Sequence, residues 1–288
     1  MRARSVLIFS VVGMAIVTAG WLWWILTPRE SATPPPPLPE IPAPPEEEPS
    51  PPEPELSAPT LVPPPDGPSV GILDRGMLVV EARGQRISTE EYTLERRDSG
   101  ELALHSHGTL SFKIALFTVQ ATFAQTITFS AQRRPLSYQF ALQGPAGIGN
   151  RTVSARFGAT TAIVDDGQKK TEIALPEEPF LLLGMFSSYA ILPLWARRDA
   201  PQRLKVISLR GDRRNREIWV LLEYTGPVQL SDGTSMLEAD EYLLKDEQFT
   251  LKLYFSGDRL LALTNDTTER DRSFRLYRSD LFPQGVKP

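Results

Sequence analysis

His105 and His107 are the only two histidines in this chain of 288 residues. Two positions apart on a strand, their rings would share one face of a sheet, as metal ligands can. A metal needs at least one more ligand, and the sequence places none, so the pair reads as an ordinary polar face. Gly144 to Asn150, with glycines at 144, 147 and 149, superficially resembles a phosphate loop. It lacks the Lys-Ser/Thr of a P-loop and no helix follows it, so it reads as a hairpin loop. No Gly-x-Ser-x-Gly elbow, His-Glu-x-x-His motif or Asp-rich calcium loop occurs. Glu223, Glu238, Asp240 and Glu241 are single acids on strand-like stretches, and nothing in the sequence fixes a catalytic distance between any two. The chain has no cysteine, which removes disulfides, thiol catalysis and Cys-based zinc sites together. No enzyme and no cofactor is expected.

Charge is distributed unevenly. Eight cations (Arg197, Arg198, Arg203, Lys205, Arg210, Arg213, Arg214 and Arg216) stand against Asp199, Asp212 and Glu217 in one stretch. That stretch suits an anionic head group, or ordinary solvation of exposed strands and a turn. Residues 1–27 carry +2, residues 28–68 carry −7 and the remainder carries +1. No domain-wide basic footprint exists, so no nucleic-acid partner is expected.

Three segments must position whatever the chain does. Arg2 and Arg4 precede an uncharged run of 22 residues, Ser5 to Leu26, long enough to span a bilayer at about 1.5 Å per residue. Residues 1–27 therefore read as a membrane anchor with its N-terminus inside. Trp21, Trp23 and Trp24 fall at the outer interface. Val17-Thr18-Ala19 also has the pattern of a signal-peptidase site, but apolar sequence continues beyond it to Leu26. Residues 28–68 hold 18 of the 27 prolines and form a Pro/Glu-rich disordered tether, a polyproline-like spacer reaching at most about 130 Å. Residues 69–288 hold the folded domain.

In that domain the apolar pattern has period two, as in Ala121 to Ser130 and Phe249 to Ser256, the mark of antiparallel strands with one buried face. Turn signals such as Asp98-Ser99-Gly100, Asp165-Asp166-Gly167 and Ser231-Asp232-Gly233 separate the runs. Strands are predicted over 77–83, 86–97, 101–112, 117–131, 136–143, 151–157, 160–165 and 168–175. Others are predicted over 203–210, 216–225, 235–245, 248–256, 259–265 and 272–278. Between the two sets lies an apolar run flanked by Glu177-Glu178 and Arg197-Arg198. Pro179 suits a first helical position and the flanking charges suit the two ends of a helix dipole, so a buried helix is predicted over 179–198. The expected fold is mainly β: a long curved antiparallel sheet, half-barrel-like, with one apolar helical insertion filling or lidding its concave side. Phe186 and Tyr189, one turn apart on such a helix, would line any ligand.

The opening Met77 to Glu91 (MLVVEARGQRISTEE), the apolar mid-domain segment and the long closing strands resemble uncharacterised bacterial envelope proteins with an N-terminal anchor, a Pro-rich tether and a β domain of unknown function. The implied fold is similar to the half-barrel with helical lid of periplasmic lipoprotein carriers, although this chain carries an anchor where those carriers are free. The anchor and tether are also similar to those of TonB-type energy transducers, whose C-terminal domain is much shorter. The resemblance implies an apolar or lipid-like ligand, or else a scaffold that docks another envelope protein and has no cavity. With the anchor it implies a single-pass protein of the bacterial inner (cytoplasmic) membrane, its C-terminal domain periplasmic or extracellular.

Overall fold

The computed structural model describes residues 69–114, 117–145, 150–178, 180–209, 217–246, 250–265 and 273–286. The anchor with Trp21, Trp23 and Trp24, the tether, and Arg210 to Arg216 lie outside them. Among the described residues no helix is long and apolar enough to cross a membrane.

Fifteen strands are described: β1 (Ser69–Ala82), β2 (Gln85–Arg97), β3 (Leu102–Ile114), β4 (Phe117–Phe129), β5 (Pro135–Gln143), β6 (Arg151–Phe157), β7 (Thr161–Asp165), β8 (Lys170–Ala174), β9 (Phe180–Leu183), β10 (Gln202–Ser208), β11 (Glu217–Ser231), β12 (Met236–Lys245), β13 (Thr250–Ser256), β14 (Arg259–Asn265) and β15 (Phe274–Arg278). They form one sheet in the order β8-β7-β6-β5-β4-β3-β2-β1-β15-β14-β13-β12-β11-β10-β9. All but β9 overlap the strands predicted from period two, although β1 begins at Ser69, eight residues before the predicted start at 77. The pairing is antiparallel throughout except for β9, which runs parallel to β10 with Leu181 opposite Val206.

The two edge strands are consecutive in the chain. A flat sheet of this width would hold its edges about 67 Å apart, yet residues 175–179 can span no more than about 22 Å between Ala174 and Phe180. The sheet is therefore rolled into a barrel-like form. One ring contact crosses the seam, and one side chain holds the connection that leads into it. The Phe157 ring on β6 lies 6.3 Å from that of Phe180 on β9, and the Arg134 guanidinium, from the β4–β5 turn, donates to the carbonyls of Ala159, Pro176 and Glu177 at 3.3, 3.1 and 3.4 Å. Phe180, Leu181 and Leu182 are all buried, so β9 is covered on both faces.

The helix predicted over 179–198 is corrected. Phe180–Leu183 is strand, and only Phe186–Leu194 is helical, as a 3-10 helix with Pro193 inside it. The cause is ambiguity of pattern: a short continuous apolar run serves a strand buried on both faces as well as a buried helix. No acidic side chain lies in the first turn and no basic one in the last, so Glu177, Glu178, Arg197 and Arg198 do not act on a helix dipole. The sheet is also mixed where pure antiparallel pairing was expected. One boundary differs for a local reason. Gly226-Pro227 looks like the end of a strand, but β11 passes through it at a bulge between Tyr224 and Gly226, and Gly226 has φ 140°. A bulge is where a central strand tolerates proline and needs glycine.

Strand alternation divides the apolar residues into two cores. The larger lies inside the roll and includes Leu78, Leu94, Phe123, Tyr138, Leu182, Ile191, Leu253 and Leu276. The smaller lies outside it, where Leu230 and Ala239 of the β11–β12 hairpin and Phe282 and Val286 of the C-terminal tail cover Val79, Tyr254, Ala262 and Tyr277.

Candidate functional site

Inside the roll the inward positions are mostly apolar, and two of the polar exceptions hold the 3-10 segment. On β4, Gln125 sits between Phe123 and Ile127 on the inward parity; on β2, Glu90 sits between Ser88 and Tyr92. Both are fully buried, as are Ser187 and Ser188. The Met185 amide donates to Gln125 Oε1 at 2.6 Å, and Gln125 Nε2 donates to Ser187 Oγ at 3.3 Å. The Ser187 amide donates to Glu90 Oε2 at 3.1 Å, and the Gly184 amide to Ser188 Oγ at 3.0 Å. The first amides of a helical segment lack internal partners. Here strands 60 and 97 residues away in sequence supply them. A polar residue on an apolar parity was the available sequence signal for Gln125 and Glu90, and the sequence reasoning missed both.

Glycine makes this junction possible at two points. A Cβ on Gly108 would lie 2.0 Å from the Thr89 carbonyl oxygen, and one on Gly184 would lie 1.6 Å from Gln125 Oε1 and 2.8 Å from Tyr138. Gly184→Ala must therefore expel the Gln125 amide and break its bond to Met185. We expect a loss of about 2–4 kcal/mol, from overpacking plus a lost buried hydrogen bond, read by urea unfolding. An unchanged midpoint would show that this junction does not hold the segment.

The structure brings Phe186 and Tyr189 into this region with different surroundings. Tyr189 is buried at 4 % exposure, whereas Phe186 is half-buried with its ring 6.1 Å from Phe274 of β15.

A second polar cluster ties β1, β2 and β15 together. Arg278 Nη1 donates to Asp74 Oδ1 at 2.9 Å and to the Tyr92 hydroxyl at 3.1 Å, while Tyr92 donates to Asp74 Oδ2 at 2.6 Å. Arg278 Nε and Nη2 form a fork on Asp280 at 2.9 and 2.6 Å, and Nη2 also reaches the Arg75 carbonyl at 2.6 Å. Gly76 leaves room for this guanidinium, since a Cβ there would lie 2.2 Å from Arg278 Nε. Burial, and then the Asp74 charge, push the Tyr92 phenol far above its ordinary value, so it stays protonated and donates.

The remaining sequence candidates separate. His105 and His107 sit on β3 beside Glu95 and Glu91, with His Nε2 to carboxylate distances of 3.6 and 3.5 Å. Burial lowers the His105 pKa against the opposing pull of Glu95. No cluster of three or more metal-type ligands occurs among the described residues. Of the four acids, Glu223 pairs with Lys245, Asp240 pairs with Arg198, and Glu241 accepts from the Thr225 hydroxyl at 2.8 Å. Glu238 is exposed. Asp240 also accepts from the Tyr224 hydroxyl at 3.3 Å, and burial followed by the Asp240 charge raises the phenols of Tyr224 and Tyr242.

No protein family matches the chain by sequence, and no curated protein does either. Among solved structures it is similar to a β-barrel-like protein of domain of unknown function DUF1849 from Brucella abortus, at 9 % identity and a TM-score of 0.47 over 71 % of this chain and 93 % of that one. It is also similar to a DUF1089 family protein from Pseudomonas aeruginosa, at 12 % identity and a TM-score of 0.35 over 60 % of this chain and 87 % of that one.

Proposed function

We propose that this is a non-enzymatic, membrane-tethered envelope protein that acts as a docking scaffold, its rolled β domain filled by its own 3-10 segment. The observation that carries this reading is the wiring of that segment: Met185 and Ser187 are bonded to Gln125 and Glu90 on the barrel wall, and Ala190, Ile191 and Leu192 have no exposure. An apolar or lipid-like ligand in the concave face is the other reading. It requires the segment to leave, breaking several buried hydrogen bonds worth about 1 kcal/mol each and exposing its apolar residues. Anchor and tether would then hold the domain within reach of partners in the envelope. The test is native mass spectrometry with lipid extraction on residues 69–288, after circular dichroism confirms a β-rich fold. The scaffold reading expects no stoichiometric lipid. One lipid per chain would replace it with the carrier reading.

A further inference from the structure

The outer face of β10 to β13 differs from that of β2 and β3. Register and alternation place Arg203 and Lys205 of β10, Trp219, Leu221 and Glu223 of β11, Glu241, Leu243 and Lys245 of β12, and Lys252 of β13 on that face, four cations against two acids. Trp219, Leu221 and Leu243 lie at its centre, half-buried. Arg203 stacks over the Trp219 ring at 4.2 Å and Lys205 approaches the same ring at 5.4 Å. Glu223 is ion-paired with Lys245. By contrast, the outer face of β2 and β3 carries Glu91 and Glu95 beside the two histidines. An indole flanked by cations and half-buried leucines is the composition that settles at a bilayer interface, with the ring at headgroup depth and the cations on phosphates.

We propose that the outer face of β10 to β13 docks on an anionic phospholipid bilayer, with Arg203, Lys205, Lys245 and Lys252 on headgroup phosphates and Trp219 in the interface. The inference rests on the tethered reading. The tether enters at Ser69 of β1, and β13 lies three strands from β1 through β15 and β14, about 14 Å along the sheet. A tether that keeps the domain within about 130 Å of the membrane raises its local concentration there and makes docking an intramolecular event. Weak intrinsic binding therefore suffices to hold the face down. Each uncompensated cation at such a surface contributes roughly fivefold to the partition, and with Glu223 and Glu241 offsetting two of the four the face supplies about 25-fold.

The test uses the full chain reconstituted in vesicles. Because the sequence has no cysteine, a single environment-sensitive dye can be attached at Thr250→Cys, on the proposed face opposite Lys245. Ile163→Cys on β7, 55 % exposed, serves as the control. In phosphatidylcholine containing about one third phosphatidylglycerol, lipids carrying headgroup-level nitroxides should quench the dye at position 250 and leave that at 163 unquenched. About 0.5 M salt should reverse the quenching. Arg203→Gln with Lys205→Gln should lower the docked-to-undocked ratio at least tenfold. Equal quenching at both positions, or quenching indifferent to phosphatidylglycerol and salt, overturns the proposal. So does a charge-independent contact made only when another protein is added. The salt titration on the dye-labelled chain with Arg203 and Lys205 intact decides the matter if the double variant fails to fold. Alkaline carbonate extraction of the same vesicles reads the anchor separately. A chain released by carbonate ends the tethered reading, whereas a retained chain without salt-sensitive quenching ends only this one.

Discussion

Replacing Arg278 by alanine is expected to destabilise the folded domain by about 3–5 kcal/mol, the range for removing one partner of a buried ion pair. Arg278 and Asp74 are 4 % and 3 % exposed. The truncation leaves the Asp74 carboxylate, the Tyr92 hydroxyl and the Arg75 carbonyl with lost donors in a place that water does not readily reach. The same logic predicts an asymmetry. Arg278→Met combined with Asp74→Leu should cost less than Arg278→Met alone, because the pair removed together strands no charge. Urea unfolding of the three variants measures this, and a double variant that costs the sum of its parts would show that the cluster is not coupled. The same site predicts a pH dependence. Burial raises the Asp280 carboxyl, but the Arg278 hydrogen bond and charge more than offset this, so its pKa falls below the ordinary aspartate value. A depressed carboxylate contributes stability that is present above its unfolded pKa and lost as pH falls through its folded one. The acid limb of the stability profile should therefore flatten in Arg278→Ala.

Little of this cluster was legible in the sequence, because Asp74, Tyr92 and Arg278 are brought together by the pairing of β1 with β2 and β15, and Arg278 lies 204 residues from Asp74. Pairing of the first strand with the last leaves no local trace. The strands themselves were legible, since Phe123, Ile127 and Phe129 alternate with threonines whatever their partners turn out to be. What periodicity could not decide was Phe180–Leu183. Four consecutive apolar residues have no period, and the strand exists because β10 offers it a parallel partner and the inner core, with Phe157 against Phe180, buries its side chains. The 3-10 segment follows from that placement. Once β9 is fixed on β10, Gly184 and Ser188 turn the chain inward, where Gln125 and Glu90 receive it.

Tyr189→Ala is the second substitution with a large expected effect, and it separates a fixed segment from a movable one. If the 3-10 segment is permanent core, deleting a side chain at 4 % exposure removes its buried area and leaves a cavity, at about 3–5 kcal/mol by analogy with other buried aromatics. Phe186→Ala should cost less, about 1–3 kcal/mol, because that ring is half-buried and its aromatic partner is Phe274. If the segment instead swings out over a ligand, the folded ensemble already includes states in which neither ring is packed. Both truncations should then cost under about 1 kcal/mol, since little native packing is lost on average. They should also change the binding of a hydrophobic dye to the folded domain. Urea midpoints and dye titrations on the two single variants read both quantities. A costly Tyr189→Ala with dye binding unchanged under folding conditions keeps the scaffold, and a cheap one with altered dye binding restores the lid. The first outcome is expected, because the bonds from Gln125 and Glu90 reach backbone amides that no side-chain truncation at 186 or 189 removes, and so the mutant loses packing without gaining a way out.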